Sequence, residues 1–238
     1  KGRLEDFFME WTSMQGFEFK YSVIWESVPL LMDGVQLTLI ITVVGCFFGF
    51  ILGGIAGLLR TSKSKTISKL AGAYIESVRG TPLMVQVMFL YFGLPLALGM
   101  RIPPLTAGIV AIAVNSGAYI AEIVRGAIQS IEQGQVEAGR SIGLTPGQTM
   151  RYIIWPQAFK RMIPPLGNQF IISLKDTSLL VVIGVGELTR SGQEIIAVNF
   201  RAFEVWLTVA IMYLIITMCI SKFLRVVEAK WFTQKAVT

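Results

Sequence analysis

The sequence contains no histidine. That absence excludes imidazole-based zinc motifs, Ser-His-Asp triads and histidine proton relays. A G-x-x-x-x-G-K-[ST] phosphate loop is also missing, so the chain does not hydrolyse ATP by itself. Cysteine is scarce. Cys46 and Cys219 both lie inside apolar stretches, which points to two small buried hydrophobes rather than a disulfide framework. Charge is thin as well: 15% of the 238 residues, where a soluble domain carries about 25%.

Apolar residues fill the gap. They make up 53% of the chain, and the mean hydropathy is +0.63. The net charge of +6 therefore does not point to nucleic acid. It raises the question of which side of a lipid membrane holds the lysines and arginines.

Five stretches are apolar enough to be spans of about 20 residues. No charge occurs between Asp33 and Arg60, and Gly45, Gly49, Gly53 and Gly57 there share one helix face, where a second backbone can approach closely. A second span lies between Arg79 and Arg101. Thr81-Pro82 fits its start, with proline at the first helical position, and Pro95 should kink or end it. A third runs from about Leu105 to Ile123. The fourth, from about Leu166 to Gly186, is apolar except for Lys175 and Asp176. The fifth runs from about Val205 to Lys222.

Charge sorting retains the fourth span. With five spans and the N-terminus outside, fourteen of the 21 basic residues fall inside and six outside. Dropping that span puts the basic tail after Lys222 on the wrong side. The acidic N-terminal part, with Phe7, Phe8, Trp11 and Trp25 interleaved, reads as an interfacial segment or a disordered tail.

The longest inside segment, about 124–163, has helical punctuation. Residues 134–142 fit a short helix closed by Gly143. Thr145, Pro146 and Gln148 fit the cap, first position and third position of a second helix, a capping box, and Pro156 is expected to end it.

Within it stand Glu137-Ala138-Gly139, Gly143, Ile153 and Trp155-Pro156. Their spacing resembles the EAA loop of ABC importer permeases, Glu-Ala-Ala, three residues, Gly, nine residues, Ile, one residue, Leu-Pro. Gly139 and Trp155 are the departures. Arg79-Gly80-Thr81-Pro82, Asn115-Ser116-Gly117-Ala118-Tyr119 and Lys175-Asp176-Thr177-Ser178-Leu179 resemble the polar amino-acid branch of that family. That branch includes glutamine, histidine and arginine permeases; Gly184 to Arg190 with Gly192-Gln193-Glu194 looks most like the glutamine permeases, with a basic amino acid as the other substrate reading.

The resemblance implies an all-α membrane protein of about five transmembrane helices, N-terminus outside and C-terminus inside, in the bacterial inner membrane. Residues 1–33 are then a periplasmic or interfacial segment, 34–228 the permease domain, and 229–238 a cytoplasmic tail. The loop at 124–163 couples to a separate ATPase dimer, with Glu137, Ala138, Gly139, Gly143, Ile153 and Pro156 at the contact. It further implies a second permease subunit, identical or not, and a periplasmic or surface solute-binding protein. ATP and magnesium are bound by the ATPase, and no cofactor is expected in this chain.

Buried charge and polarity mark the substrate path. Asp176 suits a substrate ammonium and Lys175 a carboxylate, although neighbours on a helix diverge by about 100°. Asn168 lies two turns from Asp176 on the same face as Ile172, with Gln169 beside it. Asn115, Ser116, Gln86 and Tyr91 are further candidates, with interhelical hydrogen bonding as their other reading. Glu122 and Arg125, three apart, are expected to pair. The rival function is a self-sufficient ion-coupled transporter or channel using Lys175 and Asp176.

Overall fold

The computed structural model describes residues 19–62 and 64–232. Phe7, Phe8 and Trp11 of the acidic segment, Lys63 and the tail beyond Phe232 lie outside the described residues.

Helix α1 spans Tyr21–Arg60. It starts well before the charge-free stretch and runs through Pro29. Tertiary contact explains the extension. Val23, Leu31 and Val35 form a buried stripe that packs on Leu188, Val205 and Val209. The glycine face turns towards helix α4, Pro104–Gln129, and the two make the most extensive helix pair in the molecule. A Cβ at Gly49 meets the Ser116 hydroxyl, and one at Gly57 meets the Ala121 carbonyl at 2.7 Å. Only hydrogen at these positions permits such an approach.

Between them lie α2, Lys65–Arg79, and α3, Leu83–Leu98, bent by 102° across Gly80. Arg60 fastens α2 to α1. Its guanidinium donates to the Ser68 carbonyl at 3.0 Å and meets Glu76 at 3.2 Å. The expected start of the second span moves by one position: Pro82 is the cap rather than the first helical residue. Alone, α3 measures roughly 24 Å, short of the hydrocarbon core. Among the described residues, four helices are therefore long and apolar enough to cross a membrane, or five when α2 and α3 count as one bent span.

Pro95 does not end α3. The residues before it, Phe89–Gly93, form a π turn in which the Leu94 amide donates five residues back, to Phe89. The wider turn relieves the clash of the proline ring with the carbonyl four residues earlier. Gly99, at φ 66°, ends the helix instead.

The same device recurs at Pro156. After α5, Gln133–Ser141, the chain enters α6, Pro146–Ile183. Pro156 was expected to terminate the second loop helix, but a π turn at Met150–Ile154 precedes it and the Trp155 amide donates to Met150. Loop helix and fourth span are therefore one rod. Its last turns, Thr177–Ile183, tighten to a 3-10 helix closed by Gly184 at φ 77°.

Helix α7, Leu188–Asn199, and helix α8, Ala202–Phe232, complete the chain, and α8 contains the expected fifth span. Both cysteines are free. Cys46 is half-buried, but Cys219 is exposed on α8, contrary to its expected burial.

Candidate functional site

Two places on α6 carry the candidate residues. The first is the elbow formed by α5 and the start of α6. Its capping box is present: the Gln148 amide donates to Thr145 Oγ1 at 3.3 Å, and the Thr145 amide to Gln148 Oε1 at 2.9 Å. Gly143, at φ 83°, closes α5, and the Leu144 amide bonds the Gly139 carbonyl at 3.1 Å. Gly139 is buried, and a Cβ there meets Ile153 Cδ1 at 2.8 Å and Thr149 Cγ2 at 3.0 Å. The glycine lets α5 lie directly on α6, which accounts for the smaller residue at that point of the loop. Glu137 and Ala138 are exposed on the outer side of α5, Pro156 is exposed on α6, and Ile153 is half-buried between them.

The elbow is seated rather than loose. Ile154, Ala158 and Met162 of α6 pack with Val124 and Ala127 of α4. Gln157 donates to Gln135 at 3.3 Å, and Arg161 donates to the Ser130 hydroxyl at 3.0 Å and to its carbonyl.

The second place is a cavity of about 650 Å³ at the bend between α2 and α3, its wall mainly apolar with several polar and charged groups set in it. Its walls include Arg79, Thr81, Asn115, Tyr119, Gln169 and Asp176. Asn115 is buried and donates to Gln86 Oε1 at 3.2 Å. Gln86 in turn donates to the Val78 carbonyl at 2.7 Å and the Thr81 carbonyl at 3.0 Å, which braces the bend. Gln169 is buried and donates to Ser173 at 3.3 Å. Asp176 is half-buried; it makes no ion pair or side-chain hydrogen bond among the described residues and does not cap the turn that follows it.

The cavity thus gathers Asn115, Gln169 and Asp176, with Gln86 behind the wall. It leaves others out. Lys175 is exposed and does not line the cavity. Ser116 sits in the α1–α4 seam against Gly49, its hydroxyl 3.4 Å from the Ala113 carbonyl. Tyr91 lines a separate notch beside Pro95 and Arg101. Asn168 is exposed and faces two adjoining grooves, one with Glu122 and Arg79, the other with Lys222 and Arg225.

Arg79 and Tyr119 were not among the substrate-path candidates. The sequence placed Arg79 at the inside edge of the second span, and both residues stood within stretches that resemble the family; that resemblance was the available signal. Arg79 lies over the Tyr119 ring, 5.3 Å from its centroid, and reaches Glu122 at 3.5 Å. The expected Glu122–Arg125 pair is present and bidentate, at 2.9 and 2.7 Å.

A profile of the binding-protein-dependent transport system inner membrane component family matches residues 23–233. The chain is 54% identical over 214 residues to a glutamine transport system permease protein of Escherichia coli (strain K12), covering 90% of this chain and 98% of that one. A probable glutamine ABC transporter permease protein of Bacillus subtilis (strain 168) is 38% identical over 200 residues, covering 84% and 92%. Among solved structures, a crystal structure of an amino acid ABC transporter with histidines superposes with a TM-score of 0.86 at 40% identity, covering 90% of this chain and all of that one. These likenesses support the importer reading and not the ion-coupled transporter. The chain belongs to the binding-protein-dependent transport system inner membrane component family and is the translocating permease subunit of an ABC importer, not an enzyme.

Proposed function

We propose that this permease carries a polar, uncharged amino acid, glutamine or a close analogue, across the bacterial inner membrane. The N-terminus lies outside and the elbow faces the cytoplasm. A separate ATPase dimer binds ATP and magnesium, a second permease subunit completes the path, and a solute-binding protein delivers substrate from outside. The reading of the substrate rests on 54% identity to a glutamine permease and on amide-bearing side chains around the cavity.

One observation supports the coupling mechanism above the others. Helix α6 starts in the capped elbow and carries Asp176 in its far half without an intervening break. A push on the elbow is therefore delivered to the cavity wall by a rod, which a flexible loop would absorb. ATP binding closes the ATPase dimer, the elbow follows, and α6 tilts the Gln169–Asp176 wall to open the cavity outward. Glu137, exposed on the outer side of α5, is the polar contact to the ATPase, with Ala138, Gly139, Gly143, Ile153 and Pro156 shaping the surface around it.

The test is a pull-down of the tagged protein from native membranes, wild type against Glu137→Arg, together with uptake of labelled glutamine. The expected result is an ATPase bearing a phosphate loop that accompanies the wild type and is lost with the variant. Uptake is expected to be blocked by excess glutamine but not by excess arginine. An ATPase retained by Glu137→Arg removes the role of Glu137. Uptake blocked only by arginine overturns the substrate.

A further inference from the structure

We propose that the groove between the inner ends of α6 and α8 binds an anionic phospholipid of the cytoplasmic leaflet, with Lys222 and Arg225 as receptors for its phosphate. This rests on the reading that the elbow and the end of α8 face the cytoplasm.

Depth along α8 comes first. The helix starts at Ala202, and no charge occurs between Glu204 and Lys222. From Ala202 to Lys222 the axis advances about 30 Å, the thickness of the hydrocarbon core. Lys222 therefore stands at the inner edge of that core. Arg225, three residues on, shares its face at headgroup depth. Both side chains are exposed, and neither makes a hydrogen bond or ion pair among the described residues. Two unspent cations, one a planar fork and one a flexible ammonium, suit a phosphodiester.

The groove supplies the remainder of a lipid site. It measures about 560 Å³, and both cations line it. Ile171 of α6 and Met218 of α8 add apolar wall on the membrane side of the cations, at acyl-chain depth, and Asn168 adds an amide donor. Gly167 leaves the floor without a side chain; a Cβ there meets Leu224 Cδ1 at 3.2 Å. A soluble phosphate uses the cations and leaves the apolar wall bare, whereas a phospholipid covers both. Basic recesses between spanning helices on the cytoplasmic side suit anionic headgroups for this reason. Glu228 also lines the groove and pairs with neither cation, so its carboxylate opposes an anion without cancelling both charges.

The experiment uses the purified permease–ATPase complex in phosphatidylcholine nanodiscs titrated with phosphatidylglycerol, and counts retained lipid by native mass spectrometry. Wild type is expected to retain phosphatidylglycerol in preference to phosphatidylcholine. Lys222→Gln and Arg225→Gln are each expected to weaken retention about fivefold, and Glu228→Gln to strengthen it. Lys230→Gln removes the same charge from α8 outside the groove, and is expected to change retention by less than about twofold. Recovery of the ATPase with each variant verifies that the complex has folded. Retention unchanged in Lys222→Gln and Arg225→Gln overturns the assignment, and so does an equal loss in Lys230→Gln, which is diffuse surface attraction. If inorganic phosphate binds wild type in pure phosphatidylcholine discs as tightly as phosphatidylglycerol does, the ligand is a soluble anion and the lipid is wrong. If wild type retains no phosphatidylglycerol, the proposal falls. A charged maleimide that labels Lys230→Cys from outside intact cells sinks the orientation, and with it the leaflet, while the lipid preference of the groove stands.

Discussion

Gln86 on α3 donates to the Val78 carbonyl on α2 at 2.7 Å, across the 102° bend that separates the two helices. The same amide nitrogen reaches the Thr81 carbonyl and hydroxyl, both at 3.0 Å, and the amide oxygen accepts from Asn115. One side chain thus satisfies the carbonyls left bare where α2 ends, and ties the bend to α4. Gln86→Leu is expected to lower stability by about 0.5–1.5 kcal/mol, the net worth of a hydrogen bond where the freed carbonyls are part-buried or exposed. Gln86→Glu is expected to cost more, because it sets a carboxylate against two carbonyls. Thermal unfolding in detergent, with uptake measured alongside, reads both.

The α1–α4 seam makes a sharper contrast. A Cβ at Gly53 meets the Gly117 carbonyl oxygen at 2.5 Å, backbone that has no room to move, while one at Gly54 meets nothing within 4 Å. Gly53→Ala is expected to destabilise by about 1–3 kcal/mol, as overpacking does. Gly54→Ala is expected to be neutral or to stabilise by up to about 1 kcal/mol through helix propensity. Melting temperatures of the two variants, adjacent in sequence, should move in opposite directions or differ clearly.

Glu187, between α6 and α7, is wholly buried and caps α7, accepting from the amides of Thr189 at 3.0 Å and Arg190 at 2.8 Å and from the Tyr213 hydroxyl at 2.9 Å. Burial pushes its carboxyl above the ordinary glutamate range, with those hydrogen bonds pulling only partly back. The folded state therefore holds this proton more tightly than the unfolded state. Its stabilising contribution is complete below the unfolded value of about 4.3 and is lost as pH rises through the folded one. The melting temperature is expected to carry a component that falls over that window. Glu187→Gln is expected to lose that component and, at the same time, about 1–3 kcal/mol from one unmatched amide. A pH series of melts on both proteins checks it.

Much of the fold was legible because a membrane imposes simple rules. The charge-free stretch before Arg60 and the apolar third span from about Leu105 needed no tertiary information. The capping box at Thr145 and Gln148 and the Glu122–Arg125 pair were readable because both partners lie within one turn. The prolines were misread. Pro95 and Pro156 carry the ordinary signature of a helix end, and only a π turn before each, at Phe89–Gly93 and Met150–Ile154, keeps the helix going. A proline alone does not tell whether the chain will break or widen into a π turn, since both relieve the clash of its ring with the preceding carbonyl.

The candidate site divides along the same line. Sequence determined that Asp176 is costly in a span and that Asn115 and Gln169 are polar within apolar helices, because solvation free energy belongs to the residue type and the membrane. Tertiary structure decided which of them meet. Arg79 and Asp176 are nearly a hundred positions apart, and Lys175 is next to Asp176, yet Arg79 shares its cavity and Lys175 does not. A helix turns each neighbour about 100° away, whereas a bend between helices can bring a distant residue back. That choice is made by packing, and spacing along the chain does not carry it.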